Sequence, residues 1–263
     1  MRAIRRPRVP RLLVLVLFCA LLAAGCAGGT AGAGSPPETP RPGHPLALVY
    51  RGPGGCPSCS EAAAALLRGS TWGFDVRYVG PREKLRLSAA TLRPARVYVQ
   101  PGGDGTLDEA FDALEPYSAA IRDYVAAGGR YLGLCMGGYL AGRNPGLDIL
   151  PGDTDQYITS AGASVTTTAD TVIPVNWRNT RHSLYFQDGP FFVLDDDAKA
   201  VDTLATYTNG EIAALAAPYG HGRVAVSGPH PEATDDWYDA NGLAAPSPRD
   251  TGLGRDLLDA LMR

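Results

Sequence analysis

The chain has 263 residues, with 24 Lys and Arg against 27 Asp and Glu, for a formal charge of −3. Its 45% hydrophobic content is enough for a sizeable core and argues against general disorder. The acidic balance disfavours nucleic acid or anionic lipid as a partner bound by charge.

Residues 1–11 carry five arginines, and an apolar run over 12–22 and then Ala23-Ala24-Gly25-Cys26 follow. This is the layout of a secretory signal peptide over residues 1–25, with an apolar run too short to span a bilayer comfortably. Because those five arginines leave with no acid, the rest of the chain carries −8. After Cys26, residues up to 45 are mostly Ala, Gly, Pro, Ser and Thr, which makes 26–45 a flexible tether. One α/β domain over 46–263 is then expected.

Within that domain, 46–50 reads as a buried strand, 51–55 as a loop and 60–68 as a helix. Strands at 74–79 and 96–100 follow, the second entering Pro101-Gly102-Gly103-Asp104-Gly105. A helix over 117–127 ends at Gly128-Gly129, and a fourth strand covers 130–134. Such alternation predicts a parallel sheet flanked by helices, with ligands beyond the carboxyl ends of its strands. The glycine-rich loops after the first, third and fourth strands fall on that edge. The second half predicts appended antiparallel strands at 166–177, 183–194, 200–207, 212–218 and 223–227, then an amphipathic helix at 253–262.

Three groups of residues carry chemistry. The fourth strand runs into Gly133-Leu134-Cys135-Met136-Gly137-Gly138, where small residues allow a sharp strand-to-helix turn around a nucleophile. A helix N-terminus beyond it is expected to favour the thiolate. His230-Pro231-Glu232 follows the strand at 223–227 and supplies a base with an acid to orient it. Of the other histidines, His44 lies in the tether, His221 in a tight turn, and His182 at a strand start, where a packing role is expected.

Cys56-Pro57-Ser58-Cys59 is a close pair, which in an exported chain favours a disulfide and leaves Cys135 as the odd thiol. A redox pair and free thiols are the other readings. Zinc would need two further ligands, and the chain has no second Cys-x-x-Cys, so neither metal nor other cofactor is expected.

The small residues before Cys26 resemble the lipobox of bacterial lipoproteins, with Ala23 where leucine is usual. That resemblance implies a lipidated Cys26 and display on the extracytoplasmic side of a bacterial cell membrane. The strand-Pro-Gly-Gly segment at 97–103, the elbow at 133–137 and His-Pro-Glu at 230–232 together resemble the class I glutamine amidotransferase superfamily. Within it the likeness is to the amidotransferase-like N-terminal domain of biotin-protein ligases. It rests on Val49-Tyr-Arg-Gly-Pro-Gly54, on residues 131–139 around Cys135, and on Tyr185-Phe-Gln-Asp-Gly-Pro-Phe191.

The resemblance implies a flavodoxin-like sheet, with Cys135 as nucleophile, His230 as base and Glu232 as its orienting acid. It also implies an oxyanion hole from Gly102, Gly103 and Met136. Gly52, Gly54 and Tyr139 are then expected on the substrate side. Tyr139 stands where glutamine amidotransferases usually carry a glutamine, so a small amide or peptide-like substrate other than glutamine is expected. The alternatives are a protein that binds such a ligand without turnover, and a redox module built on Cys56 and Cys59.

Overall fold

In a strand buried on both sides, alternate side chains serve two different cores. Leu46–Tyr50 (β1) does this. Ala47 and Val49 join one hydrophobic cluster, while Leu46, Leu48 and Tyr50 join the other. The computed structural model describes residues 41–143, 145–247 and 252–263, so the signal peptide, Cys26 and most of the tether lie outside the described residues.

Asp75–Val79 (β2), Ala95–Gln100 (β3), Arg130–Leu134 (β4) and Gly222–Ser227 (β11) complete the parallel part with β1, in the order β2-β1-β3-β4-β11. Helices Pro57–Arg68 (α1) and Gly252–Met262 (α6) cover one face through Ala63, Ala64, Leu67, Leu257 and Leu261. Leu107–Ala126 (α3) covers the other through Leu114, Ile121 and Val125. A short helix, Ala89–Leu92 (α2), lies before β3.

The antiparallel part continues the sheet from β11 through Ile212–Tyr219 (β10), Asp202–Tyr207 (β9), Thr171–Trp177 (β6) and Thr180–Phe186 (β7). Gly152–Gln156 (β5) pairs with Pro190–Leu194 (β8), which touches β10 at Ile212 and Phe192. The described fold is thus a mixed α/β sheet flanked by helices, as the sequence predicts.

Three of the differences from the sequence reading bear on the crevice or on the helix beside it. First, α3 starts ten residues earlier than predicted, because Thr106 and Glu109 form a reciprocal capping box. Pro116, the residue before the start expected from sequence, sits inside this helix. Second, the strand expected over 183–194 is two strands. They are broken at Gln187-Asp188-Gly189, where Asp188 adopts φ 49° and Gly189 approaches the Gly228 carbonyl too closely for a Cβ. Third, β5 has no apolar alternation to announce it, and its pairing with β8 alone makes it a strand.

Candidate active site

Cys135 follows β4 with φ 49° and ψ −105°, a backbone that L residues rarely adopt. The neighbouring glycines make that turn sterically possible. A Cβ on Gly133 would lie 2.3 Å from the Gly137 carbonyl oxygen, and one on Gly137 would lie 2.0 Å from the Gln100 oxygen. No other residue fits at either position without moving a strand. The following helix, Met136–Tyr139 (α4), has only four residues. The expected helix is thus present but only one turn long.

β11 lies beside β4 in parallel register, with Ser227 opposite Leu134, and the Cys135 N–H donates to the Ser227 carbonyl at 2.8 Å. The chain leaving β11 therefore runs beside the elbow. His230 is held there by its own N–H, which donates to the Tyr185 carbonyl at 2.9 Å. Edge-on packing against Tyr185 and Trp237 flanks its ring. Glu232 Oε1 lies 2.8 Å from His230 Nδ1, and both side chains are buried. The other oxygen of Glu232 is buried with no hydrogen-bonding partner.

Burial by itself lowers the affinity of the His230 ring for a proton. The Glu232 carboxylate and the Cys135 sulfur outweigh it, and the pKa rises to about 10. At neutral pH the ring is thus an imidazolium beside a sulfur and a carboxylate. The Cys135 thiol also lies 3.5 Å from the Gln187 carbonyl, to which it can donate.

Two cavities meet at Cys135. The larger, of about 700 Å³, is lined by Gly103, Met136, Tyr139 and Asp188 among others. The smaller, of about 400 Å³, is lined by His230, Tyr185, Trp237 and the Cys56 and Cys59 side chains. Cys56 and Cys59 are joined as a disulfide, with Cys56 capping α1 and its sulfur accepting the Cys59 N–H at 3.0 Å. A Cβ on Gly102 would lie 2.9 Å from His230 Cε1 and 3.1 Å from Cys59 Sγ, so this glycine lets the backbone, the His230 ring and the disulfide approach closely.

Of the three residues expected at an oxyanion hole, Gly103 and Met136 line the larger cavity and Gly102 lines neither, while Tyr139 lines the larger one with its hydroxyl donating to the Asp188 carbonyl at 3.2 Å. Burial, then the charges of Asp188, Cys135 and Asp155, keep that phenol well above its usual pKa, so it acts as a neutral hydroxyl. Gly52 and Gly54 are corrected. Gly52 lines a separate cavity with Pro53 and Pro81, and Gly54 packs against Ala110 of α3. Neither lines a cavity that Cys135 lines, because the first loop folds under the Pro101-Gly102-Gly103 turn, where the Gly54 carbonyl blocks any Cβ on Gly103.

The sequence reading left Gln187, Asp188, Asp170 and Trp237 unassigned, although all four line the crevice. The first two fall within Tyr185-Phe-Gln-Asp-Gly-Pro-Phe191, and the Gly-Pro that follows them was the available signal of a break. Among the described residues, no three His, Cys, Asp or Glu side chains are grouped to hold a metal ion.

Residues 46–148 match the family described as "Biotin-protein ligase, N terminal". A solved structure of a glutamine amidotransferase superposes with a TM-score of 0.55 at 15% identity, over 82% of this chain and 98% of that one. A putative GMP synthase component from Thermoplasma acidophilum gives 0.53 at 14% identity, over 83% and 93%. No curated protein matches the chain in sequence. The chain has the fold of class I glutamine amidotransferase-like proteins, and its residues 46–148 carry the match to the N-terminal family of biotin-protein ligases.

Proposed function

We propose that the protein is a cysteine-dependent amidohydrolase with Cys135 as nucleophile, His230 as general acid and base, and Glu232 as the carboxylate that orients His230. The observation that carries this reading is the juxtaposition at one sheet edge. Cys135 sits on a strained turn, and a buried, ion-paired His230 shares its cavity.

In the reaction, the Cys135 sulfur attacks the amide carbonyl carbon, a C–S bond forms, and charge gathers on the oxygen. The Gly103 and Met136 segments line the cavity where that oxygen develops. As the C–N bond breaks, the imidazolium of His230 gives its proton to the leaving nitrogen. The neutral ring then takes a proton from water, the hydroxide adds to the thioester carbon, and the Cys135 sulfur leaves with the acid product formed. Water is the one co-reactant, and Cys135 and His230 return to their starting protonation states, so the cycle closes.

Two further parts of the proposal concern setting. The substrate is a small amide or peptide-like molecule other than glutamine, since Tyr139 projects an aromatic ring and one fixed hydroxyl into the larger cavity. The domain is attached to the outer side of a bacterial membrane through a lipidated Cys26, and mass spectrometry of the native N-terminus tests this.

The test of the chemistry compares wild type with Cys135→Ser in an ammonia-release screen over small carboxamides, beside iodoacetamide labelling. Wild-type turnover lost in Cys135→Ser supports the hydrolase. Fast labelling without turnover of any amide leaves a binding protein that uses the same crevice, and robust glutaminase activity overturns the substrate assignment.

A further inference from the structure

The charge around Cys135 is one-sided. Asp104 lines both cavities, Asp155 and Asp188 line the larger, and Asp170 and Asp236 line the smaller. Among the described residues that line either cavity there is no lysine or arginine. The one cationic group in the crevice is His230, whose charge is matched by Glu232 at 2.8 Å.

The carboxylates are spread rather than convergent. No three of them are grouped for a metal ion, so their field is suited to a positive charge carried on an extended organic ligand. The smaller cavity adds a second, independent preference. Tyr185 and Trp237 stand edge to face at 5.3 Å, and their rings line the cavity beside Asp170 and Asp236. Tyr185 is fixed there, its hydroxyl donating to the Asp170 carboxylate and accepting from Asn241 at 2.8 Å. An aromatic wall next to carboxylates attracts an organic cation through the ring quadrupole and through charge together.

Resting on the reading of Cys135 as nucleophile, we propose that the substrate is a cationic amide. Its ammonium or related organic cation occupies the Tyr185, Trp237, Asp170 and Asp236 subsite, and its scissile carbonyl lies at Cys135. The same field disfavours a substrate carboxylate, since neither cavity offers it a basic side chain.

The experiment uses three methanethiosulfonates on the protein: the trimethylammonioethyl and sulfonatoethyl reagents, and the propyl reagent as an uncharged reference of comparable length. Each reacts in one way. The Cys135 sulfur forms an S–S bond with the reagent's thio sulfur and methanesulfinate leaves. Dividing every rate by that of 2-mercaptoethanol under the same conditions removes the reagents' own dependence on charge.

The expected result is a normalised cation-to-anion ratio of at least about tenfold at low salt, shrinking several-fold at high salt as the carboxylates are screened. Asp170→Asn with Asp236→Asn lowers that ratio by about threefold or more. Asp170→Asn retains an acceptor for Tyr185, and Asp236 is an exposed residue in the first turn of the helix Asp235–Ala240 (α5). A melting curve checks that each variant folds, and Asp236→Asn alone serves if the double variant does not.

A normalised ratio of one or below in wild type overturns the proposal, as does a ratio that the aspartate changes leave in place. If Cys135 reacts with none of the three reagents, the hydrolase reading falls and takes this one with it. If all three react at equal normalised rates, only the charge assignment falls.

Discussion

The parallel and antiparallel parts of the sheet do different work at the same crevice. The parallel part holds Cys135 and His230 through backbone geometry: β4 and β11 are hydrogen-bonded neighbours, so the residues that leave their ends emerge side by side. The antiparallel part holds the walls through side chains. Tyr185 follows from β7, Gln187 and Asp188 from the break before β8, and Asp155 from β5. Backbone pairing fixes positions that cannot change without moving a strand, whereas side-chain walls can be altered one at a time. Under the proposed function, chemistry belongs to the first region and choice of substrate to the second.

The largest effect that tests this division is expected at His230. His230→Ala should lower kcat by about 10²–10⁴-fold, the usual range for a general acid or base, whereas changes to the wall residues should act mainly on KM. Steady-state kinetics on an amide found by the screen measures both. A kcat loss of similar size from Asp188→Asn would blur the division.

Next comes the coupling between His230 and Glu232. Since the folded pKa of His230 is raised from 6.5 to about 10, the pair's contribution to stability is complete below about 6.5. It is lost as pH rises through about 10. Urea midpoints should therefore fall between these limits in wild type, and Glu232→Gln should flatten that dependence. Parallel curves for the two proteins would show that the pair is not linked to folding.

A smaller effect is expected at the contact between loop and base. In Gly102→Ala the new methyl meets His230 Cε1 at 2.9 Å, so the ring must shift while the sheet remains. Turnover should fall by about tenfold or more with little change in melting temperature, because a displaced base loses rate before the core loses packing. A large fall in melting temperature with turnover intact would contradict this.

Reduction of Cys56–Cys59 should do less. The loop it closes spans a sequence separation of only three, so loop entropy gives it about 2 kcal/mol. Because Cys59 lies against Gly102 and both cysteines line the smaller cavity, substrate KM should rise on mild reduction while the far antiparallel strands keep their protection against hydrogen exchange. A free-thiol count distinguishes the states, with Cys135 alone expected free in the oxidised protein once residues 1–25 are removed and Cys26 is lipidated.

The smallest effect is expected from Tyr139→Phe, which removes one hydrogen bond to the Asp188 carbonyl, worth about 1 kcal/mol. It should alter amide preference more than overall rate.

Much of the parallel region was legible because its signals are local. Buried runs such as Leu46–Tyr50, the glycines on either side of Cys135, and the spacing of His230 and Glu232 each have a physical meaning within a few residues. The walls were not legible in that way. Trp237 belongs to a six-residue helix and Asp170 to the stretch just before β6, and only folding brings them to Tyr185. The reverse error occurred at Gly52 and Gly54, where proximity to a strand end suggested the crevice. Close packing against Tyr50 and Ala110 turned those glycines elsewhere.

By itself the sequence determined the strand-helix alternation, the turn at Cys135 and the pairing of His230 with Glu232, because steric demand at a tight turn and a two-residue spacing are properties of a short segment. Tertiary structure alone decided that α4 stops after four residues, that the strand over 183–194 breaks at Gln187, and that five aspartates from distant segments line the two cavities that meet at Cys135. Each of those depends on contacts between residues far apart in the chain, and the field of a cavity is the sum of charges that only the closed fold places together.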